Sequence, residues 1–471
     1  MNTLAPTTQS LKNVHCIGLG GIGVSAVATL LKVRGAYVTG SDAVETETLK
    51  ELKSRGIKYW IGSRPEKMGR HLDLVIYSSA IPEDDEERVR ARHLGVREVM
   101  YNAFLGELAR EFDKVVAVTG THGKSTTTAM LGQMLVEANA NPTVIVGSKV
   151  ATFKAGNVHV GGTEVFVAEA CEHQAHMLEL DPDVIVLTNI EFDHPDYYRD
   201  VDHVRETMKA FVEKLPKDGV LVWNTNDEQS RRLVETLEHP PTLVGVGDDG
   251  MLSANVEHEP GLQKLHVQYQ GTHIGDVALR LPGEHNVMNA LIASAAASVL
   301  HVKGEVIKAA LESFMGLWRR FEKLGTFQGA DVYSDYAHHP TALVRLLEGT
   351  RTFVPNRRVV LCFQPHQHAR TVGLFDEFVT SMDEADVVIL PEIYGVIGRT
   401  EAQAISSRDV VVRIEEHDVA RHANRSVLFA KDFTETERLL KETVREGDVL
   451  LMVGAGDIDA FARELVRAAR P

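Results

Sequence analysis

Between Val115 and Thr127 an apolar, β-branched run stops at a glycine-rich turn, and Gly123-Lys124-Ser125 then opens a segment whose apolar spacing from Ala129 to Leu135 predicts a helix. A strand, a tight loop and a helix with Lys-Ser at its start make a βα unit of the phosphate-loop kind. Backbone N–H groups of such a loop and of the first helical turn form an anion site. The Lys124 ammonium can neutralise β- and γ-phosphate charge there, and the Ser125 hydroxyl can ligate Mg2+. Gly120, Thr121, His122, Gly123, Lys124, Ser125 and Thr126 are thus the candidate nucleotide-phosphate residues. The pattern is incomplete, because the full motif has glycine five residues before Gly123, where Val118 stands.

A second glycine loop lies near the start. The short strand Val14–Ile17 runs into Gly18-Leu19-Gly20-Gly21-Ile22-Gly23 and a helical pattern, Val24–Leu31; a second strand, Tyr37–Gly40, ends at Ser41-Asp42. Taken alone this fingerprint predicts NAD, with Asp42 on a ribose. The same backbone can seat any diphosphate at a helix N-terminus, including that of a UDP-sugar, and a tight βα turn without a ligand also fits. A third strand, Asp73–Tyr77, ends at Ser78-Ser79-Ala80, which points these residues at the crevice beyond the carboxyl ends of the strands. A helix, Asn102–Arg110, leads to the phosphate-loop strand.

Beyond that loop, strand-like Val165–Ala168 ends at Glu169, and Asp183–Leu187 leads through Thr188-Asn189-Ile190 to Asp193-His194. If these strands flank the phosphate-loop strand, Glu169 and His194 become Mg2+ ligands; a solvated carboxylate and a loop histidine are the plainer readings. Val220–Trp223 is a further strand. Asn286 and Asn289 share a face of the first turn of an Ala-rich helix that runs to about Leu300, where Asn286 could equally cap the helix. After Arg319-Arg320-Phe321, strands at Asp331–Ser334, Val359–Phe363, Val387–Leu390 and Val449–Val453 alternate with helical patterns at Leu374–Met382 and Thr436–Val444. That is a third α/β unit with a parallel sheet. Its strand ends carry Asp335, Tyr336, His338 and Arg370, a polar rim suited to a ligand.

At 471 residues the chain has room for about three domains. A formal charge of −16 argues against a broad nucleic-acid surface. No apolar run is long enough to span a membrane, and the first ten residues lack the apolar core of a signal peptide. Cys16, Cys171 and Cys362 lie far apart in apolar runs and read as reduced core cysteines of a cytosolic protein.

Thr119–Thr126, with its missing first glycine, resembles the phosphate loop of the Mur ligases. The rest of the chain carries the same resemblance in the family's order. The motifs are Gly18–Gly23, Ser78-Ser79-Ala80-Ile81, Thr188-Asn189-Ile190 with Asp193-His194, Pro282–Ala290, Arg319-Arg320-Phe321, Asp335–Thr341, and Phe363–His366 with Arg370-Thr371. Each motif is weak alone; the ordered set is specific and spans nearly the whole chain.

The resemblance implies an α/β fold of three domains. Residues 1–111 form a Rossmann-like UDP-sugar domain, 112–322 a central P-loop ATPase domain with a parallel sheet, and 323–471 a Rossmann-like domain that closes over the site. It reassigns Gly18, Leu19, Gly20, Gly21, Ile22, Gly23, Asp42, Ser78, Ser79 and Ala80 from NAD to a UDP-sugar. It implies a cytoplasmic ligase of peptidoglycan precursor synthesis, most like the branch that joins L-alanine to UDP-N-acetylmuramate with ATP and one or two Mg2+ ions. Lys124 would hold the β/γ-phosphates, with Ser125 and Glu169 on one Mg2+ and Glu169 and His194 on a second. Asn286 and Asn289 would hold the adenine side, Arg320 a phosphate and Asp335 the ribose. Tyr336, His338 and Arg370 would orient the amino acid. A homodimer is compatible with this reading. Two departures bear on the acceptor: Ala170-Cys171-Glu172 follows the metal carboxylate, and Gln367-His368-Ala369 precedes Arg370. Glycine, serine or a murein tripeptide are the alternative acceptors. An NAD-dependent dehydrogenase leaves Lys124, Glu169 and His194 without a role, and a silent nucleotide-binding scaffold leaves their retention unexplained.

Overall fold

Three sheets organise the residues the structure describes, 8–195, 197–395 and 405–469 of a computed structural model. The first is five-stranded and parallel, in the order Lys58–Ile61, Tyr37–Asp42, Asn13–Ile17, Leu74–Tyr77, Arg97–Met100. Asn13–Ile17 is central, and the chain order reverses on either side of it. That reversal opens a crevice at the carboxyl end of this strand, and the first glycine loop sits there.

The second sheet has ten strands. Lys114–Thr119 lies between Val184–Leu187 and Val165–Glu169, parallel to both. Register sets Val118 opposite Glu169 and Thr119 opposite Leu187, so the phosphate loop and the two acidic strand ends leave the sheet at one edge. At the far side of the sheet, Thr242–Val246, Leu252–Glu259, Leu262–Tyr269 and Thr272–Leu279 extend it. The last two are joined by Gln270-Gly271, both at positive φ (47° and 74°), the conformation of a two-residue hairpin turn.

The third sheet runs Glu322–Phe327, Ala330–Asp335, Val449–Val453, Val359–Phe363, Val387–Pro391, Ser426–Ala430. It is parallel except at its edge, where Glu322–Phe327 folds back antiparallel on Ala330–Asp335. Its central strands are apolar throughout because both faces are covered. Val359, Leu361 and Phe363 enter one core, and Val360 and Cys362 the other.

By compactness the chain divides in two. One unit is Met1–Asn255, His266–Asp276 and Met288–Phe314; the other is Val256–Leu265, Val277–Val287 and Met315–Pro471. In the first unit a continuous core joins the first two sheets, from Val14 and Leu30 to Phe166 and Phe211.

One expectation needs correction. Cys16 and Cys362 are buried, but Cys171 is exposed, because the chain leaves the sheet after Glu169 and turns outward. The helix expected over Leu374–Met382 is present as the shorter Phe375–Thr380, and a separate helix, His368–Gly373, precedes it across Leu374 (φ −125°, ψ 33°).

Candidate active site

The helix after the phosphate loop, Lys124–Glu137, begins at Gly123 with φ +82° and no side-chain cap. Its first N–H groups therefore face the loop, as an anion-binding helix start requires. Only glycine fits at 123: the left-handed φ disfavours a side chain, and a Cβ there would collide with Asn289 Oδ1. Asn289 also accepts from Thr127 Oγ1 at 3.3 Å, which fixes it beside the loop.

Residues 188–191 hold the loop from outside. Thr121 N donates to Asn189 O (3.1 Å) and His122 N to Asn189 Oδ1 (2.9 Å). His122 O accepts from Thr188 Oγ1 (2.6 Å) and Asn189 Nδ2 (3.0 Å). Thr121 Oγ1 donates to Glu191 O (3.0 Å), and His122 Nε2 lies 3.0 Å from Glu191 Oε2. Thr126 is buried.

The Lys124 ammonium curls back. It donates to Gly120 O (2.7 Å), Thr121 O (2.9 Å) and the Glu172 carboxylate (2.8 Å to Oε2). Burial opposes both charges. The pair's mutual attraction, helped by Cys171 and Glu169 on the lysine side and His194 on the glutamate side, overcomes it: Lys124 is held above its ordinary pKa and Glu172 below. Three acceptors thus satisfy the three ammonium protons.

Ser125 Oγ donates to Glu169 Oε1 at 3.1 Å, and Glu169 Oε2 accepts from Gly147 N at 2.7 Å. A hydroxyl and a carboxylate converging beside a phosphate cradle are the hard oxygen donors that Mg2+ takes, so these residues fit that ion. His194, at φ +56°, directs Nε2 to Glu172 Oε1 (3.6 Å) and Asp193 Oδ2 (3.8 Å), and its ring stacks on His173 at 4.4 Å. Its carboxylate neighbours are thus Glu172 and Asp193, whereas the sequence pairs it with Glu169.

At the first glycine loop, Gly18 N and Leu19 N donate to Ser41 O (2.9 and 3.0 Å), and Gly21 N to Gly18 O (3.1 Å). Asp42 Oδ2 accepts from Gly20 N at 2.7 Å, so this carboxylate braces the loop itself. Gly23 packs against the Tyr101 ring, and Ile22 begins the helix Ile22–Val33. Ile22 O accepts from Asn157 Nδ2 at 2.5 Å, which ties this helix start to the second sheet's segment. Ser78 N donates to Ile17 O (3.1 Å), while Ser79 and Ala80 lie exposed at the same sheet edge.

The second unit groups the remaining candidates. Asp335 accepts from Phe321 N and Ala337 N, both at 2.8 Å; burial pushes its pKa up, against the pull of Arg320 and these amides. The guanidinium groups of Arg319 and Arg320 lie 4.8 and 5.2 Å from the Tyr336 ring centre. His338 Nδ1 meets Tyr336 O at 2.8 Å, and its ring lies 5.1 Å from that of Tyr336 and 6.4 Å from that of His366. Arg370 is buried on the helix His368–Gly373. Asn286 Nδ2 donates to Pro282 O at 2.7 Å, closing the turn before the helix Glu284–Val299.

Reasoning from sequence missed Glu172, Asn157 and the bracing by Thr188 and Asn189. An acid three residues beyond a strand end was the one signal for Glu172.

Three family models match in order: "Mur ligase family, catalytic domain" over 13–113, "Mur ligase middle domain" over 118–297 and "Mur ligase, glutamate ligase domain" over 319–456. UDP-N-acetylmuramate–L-alanine ligase of Alkaliphilus metalliredigens is 34% identical over 97% of this chain and 98% of its own length. That of Aquifex aeolicus is 34% identical over 98% of each. Among solved structures, UDP-N-acetylmuramate–alanine ligase MurC of Thermotoga maritima superposes with a TM-score of 0.82 at 29% identity, covering 97% of this chain and 99% of that one. A murein peptide ligase of Psychrobacter arcticus shares the fold, with a TM-score of 0.71 at 23% identity over 97% and 98% of the two chains. With its three domains matched in order and relatives similar from end to end, the chain belongs to the Mur ligase family.

Proposed function

We propose that this protein is the ATP-dependent ligase that joins L-alanine to UDP-N-acetylmuramate, through an acyl phosphate, in cytoplasmic peptidoglycan precursor synthesis. The observation that carries the reading is the phosphate cradle: Lys124, Ser125 and Glu169 converge where three parallel strands end. Full-length likeness to alanine ligases supports the acceptor. The domains are 1–111 for the UDP-sugar, 112–322 for ATP and 323–471 for the amino acid.

A carboxylate resists attack by an amine until one of its oxygens becomes a good leaving group. The γ-phosphoryl group passes to a muramoyl carboxylate oxygen and ADP leaves. The neutral amine of alanine attacks the acyl carbon, loses a proton, and inorganic phosphate departs from the tetrahedral intermediate. The protein's contribution is alignment and charge neutralisation. Gly120 to Thr126 hold the triphosphate, and Lys124 moves its ammonium from Glu172 to the β/γ-phosphates. Ser125 and Glu169 would hold Mg2+, with His194 beside a second ion. Bound there, Mg2+ screens charge on the transferring phosphoryl group. Gly18 to Gly23, with Asp42 and Ser78 to Ala80, seat the UDP-sugar. Asn286, Asn289, Arg320 and Asp335 hold the nucleotide of ATP. Tyr336, His338 and Arg370 orient the amino acid and stabilise developing negative charge.

The test is phosphate release with ATP, Mg2+ and UDP-N-acetylmuramate against a panel of amino acids. Release that needs both the nucleotide sugar and alanine supports the proposal. Preference for glycine, serine or a tripeptide would move the acceptor, and no release with any acceptor would overturn the ligase reading. Lys124→Ala is expected to abolish release while leaving UDP-sugar binding intact.

A further inference from the structure

The hairpin Leu262–Tyr269 and Thr272–Leu279 carries three metal-ligating side chains that the ligase chemistry leaves unused. His266 Nδ1 lies 2.8 Å, and His273 Nε2 2.9 Å, from one and the same oxygen, Asp276 Oδ1. The three donor atoms all fall within 4.8 Å of one another.

This convergence needs a local break in the strand. Residues three apart on a regular strand face opposite sides. Gly275, at φ +154°, stands between His273 and Asp276 and breaks the alternation, so the two side chains meet. His266 reaches the pair from the neighbouring strand.

The separations are those of ligands. Zinc takes imidazole nitrogen and carboxylate oxygen at roughly 2.0–2.2 Å, which puts donors at right angles about 3 Å apart and tetrahedral ones about 3.4 Å apart. The observed 2.8 and 2.9 Å from Asp276 Oδ1 to the two ring nitrogens match the right-angled case. The side chains are 33%, 55% and 43% exposed, so water can complete the sphere. Lys308 donates to the Asp276 main-chain oxygen and pairs with Glu312 at 2.6 Å, leaving the Asp276 carboxylate to the imidazoles.

We propose that His266, His273 and Asp276 form a three-point site for a divalent first-row transition cation. Two imidazoles and one carboxylate favour nickel, copper or zinc over Mg2+ or Ca2+. On binding, the two hydrogen bonds to Asp276 Oδ1 are exchanged for two metal–nitrogen bonds and one metal–oxygen bond, the proton of each ligating ring nitrogen passing to the other ring nitrogen or to solvent. The cation would clamp the two strands of the hairpin together.

The test is calorimetric titration of the full chain with NiCl2 in millimolar Mg2+ and a non-hydrolysable ATP analogue, which keep the phosphate-loop region filled. Hydrogen exchange is followed in parallel over residues 262–279. The expected result is one Ni2+ equivalent that weakens at least tenfold in His273→Asn and in Asp276→Asn, with exchange in 262–279 slowed by Ni2+ in the unmodified chain. Titrations that coincide for the unmodified chain and both variants would overturn the site. So would exchange in 262–279 that Ni2+ leaves unchanged, a readout that needs no variant.

Discussion

Glu87→Gln probes how the first glycine loop is held. Glu87 lies in the first turn of the helix Glu86–Leu94 and is fully buried. Its Oε1 accepts from Trp60 Nε1 (2.8 Å) and Arg64 N (2.9 Å). Its Oε2 accepts from Ser41 Oγ and lies 3.4 Å from His15 Nε2. His15 is itself fixed by Thr39 Oγ1 at 2.9 Å and by stacking on Trp60 at 4.9 Å. Burial alone would raise the Glu87 pKa, but His15, Ser41 and the Arg64 amide lower it from 4.5 to about 2. That gap corresponds to roughly 3 kcal/mol of preference for the ionised form. Glutamine replaces one acceptor oxygen with an NH2 group, which faces buried donors and leaves at least one unpaired, a cost of about 1–3 kcal/mol.

The sign follows from linkage. The folded pKa lies below the unfolded one, so the stabilisation is complete above pH 4.5 and drains away as pH falls toward 2. The assay is amide hydrogen exchange in Asn13–Ile17 and Tyr37–Asp42, because local opening is better defined than global unfolding in a chain of several domains. At pH 7 the variant should exchange there roughly 100-fold faster, the equivalent of about 3 kcal/mol. Ser41 O receives Gly18 N and Leu19 N, so the same change should raise KM for UDP-N-acetylmuramate and leave KM for ATP in place. Acceleration of less than about fivefold, or protection that does not weaken between pH 5 and 3 once intrinsic rates are corrected, would refute the reasoning.

Two further substitutions separate the parts of the ATP site. Gly123→Ala puts a Cβ into Asn289 at a left-handed φ, so KM for ATP should rise at least tenfold while UDP-sugar binding, measured by calorimetry, stays unchanged. Glu172→Gln strands the buried Lys124 ammonium without its counter-charge, so Tm should fall in the free protein and recover with ATP–Mg2+, whose phosphates replace the carboxylate. An equal fall in Tm with and without nucleotide would contradict that role for Glu172.

Much of this architecture is legible from short-range pattern. Val359–Phe363 and Val449–Val453 read as buried parallel strands because every residue is apolar, and the structure feeds alternate residues into two cores. Both glycine loops were visible because a tight strand-to-helix turn needs positions where a Cβ is excluded, as at Gly23 and Gly123. The strands between 242 and 279 escaped notice because they are half exposed and polar residues interrupt them; the turns at Pro260-Gly261 and Gln270-Gly271 were local clues.

The pairing of Lys124 with Glu172 was hidden for a different reason. After Glu169 the chain turns through Gln174 and Ala175, both at positive φ (53° and 57°), a conformation neither residue type announces. Just before that bend, Tyr198 OH donates to Glu172 O at 2.5 Å and anchors the backbone from which the Glu172 carboxylate meets the lysine. Parallel register is what makes the encounter consequential. Once Val118 lies opposite Glu169 and Thr119 opposite Leu187, whatever follows those two strands must leave the sheet beside the phosphate loop. Spacing along the chain can say which strands end in acids. Only the order of strands across the sheet decides that Glu169 and Glu172 flank one lysine while His194 faces Glu172, and so why the fold can gather these groups from segments 70 residues apart.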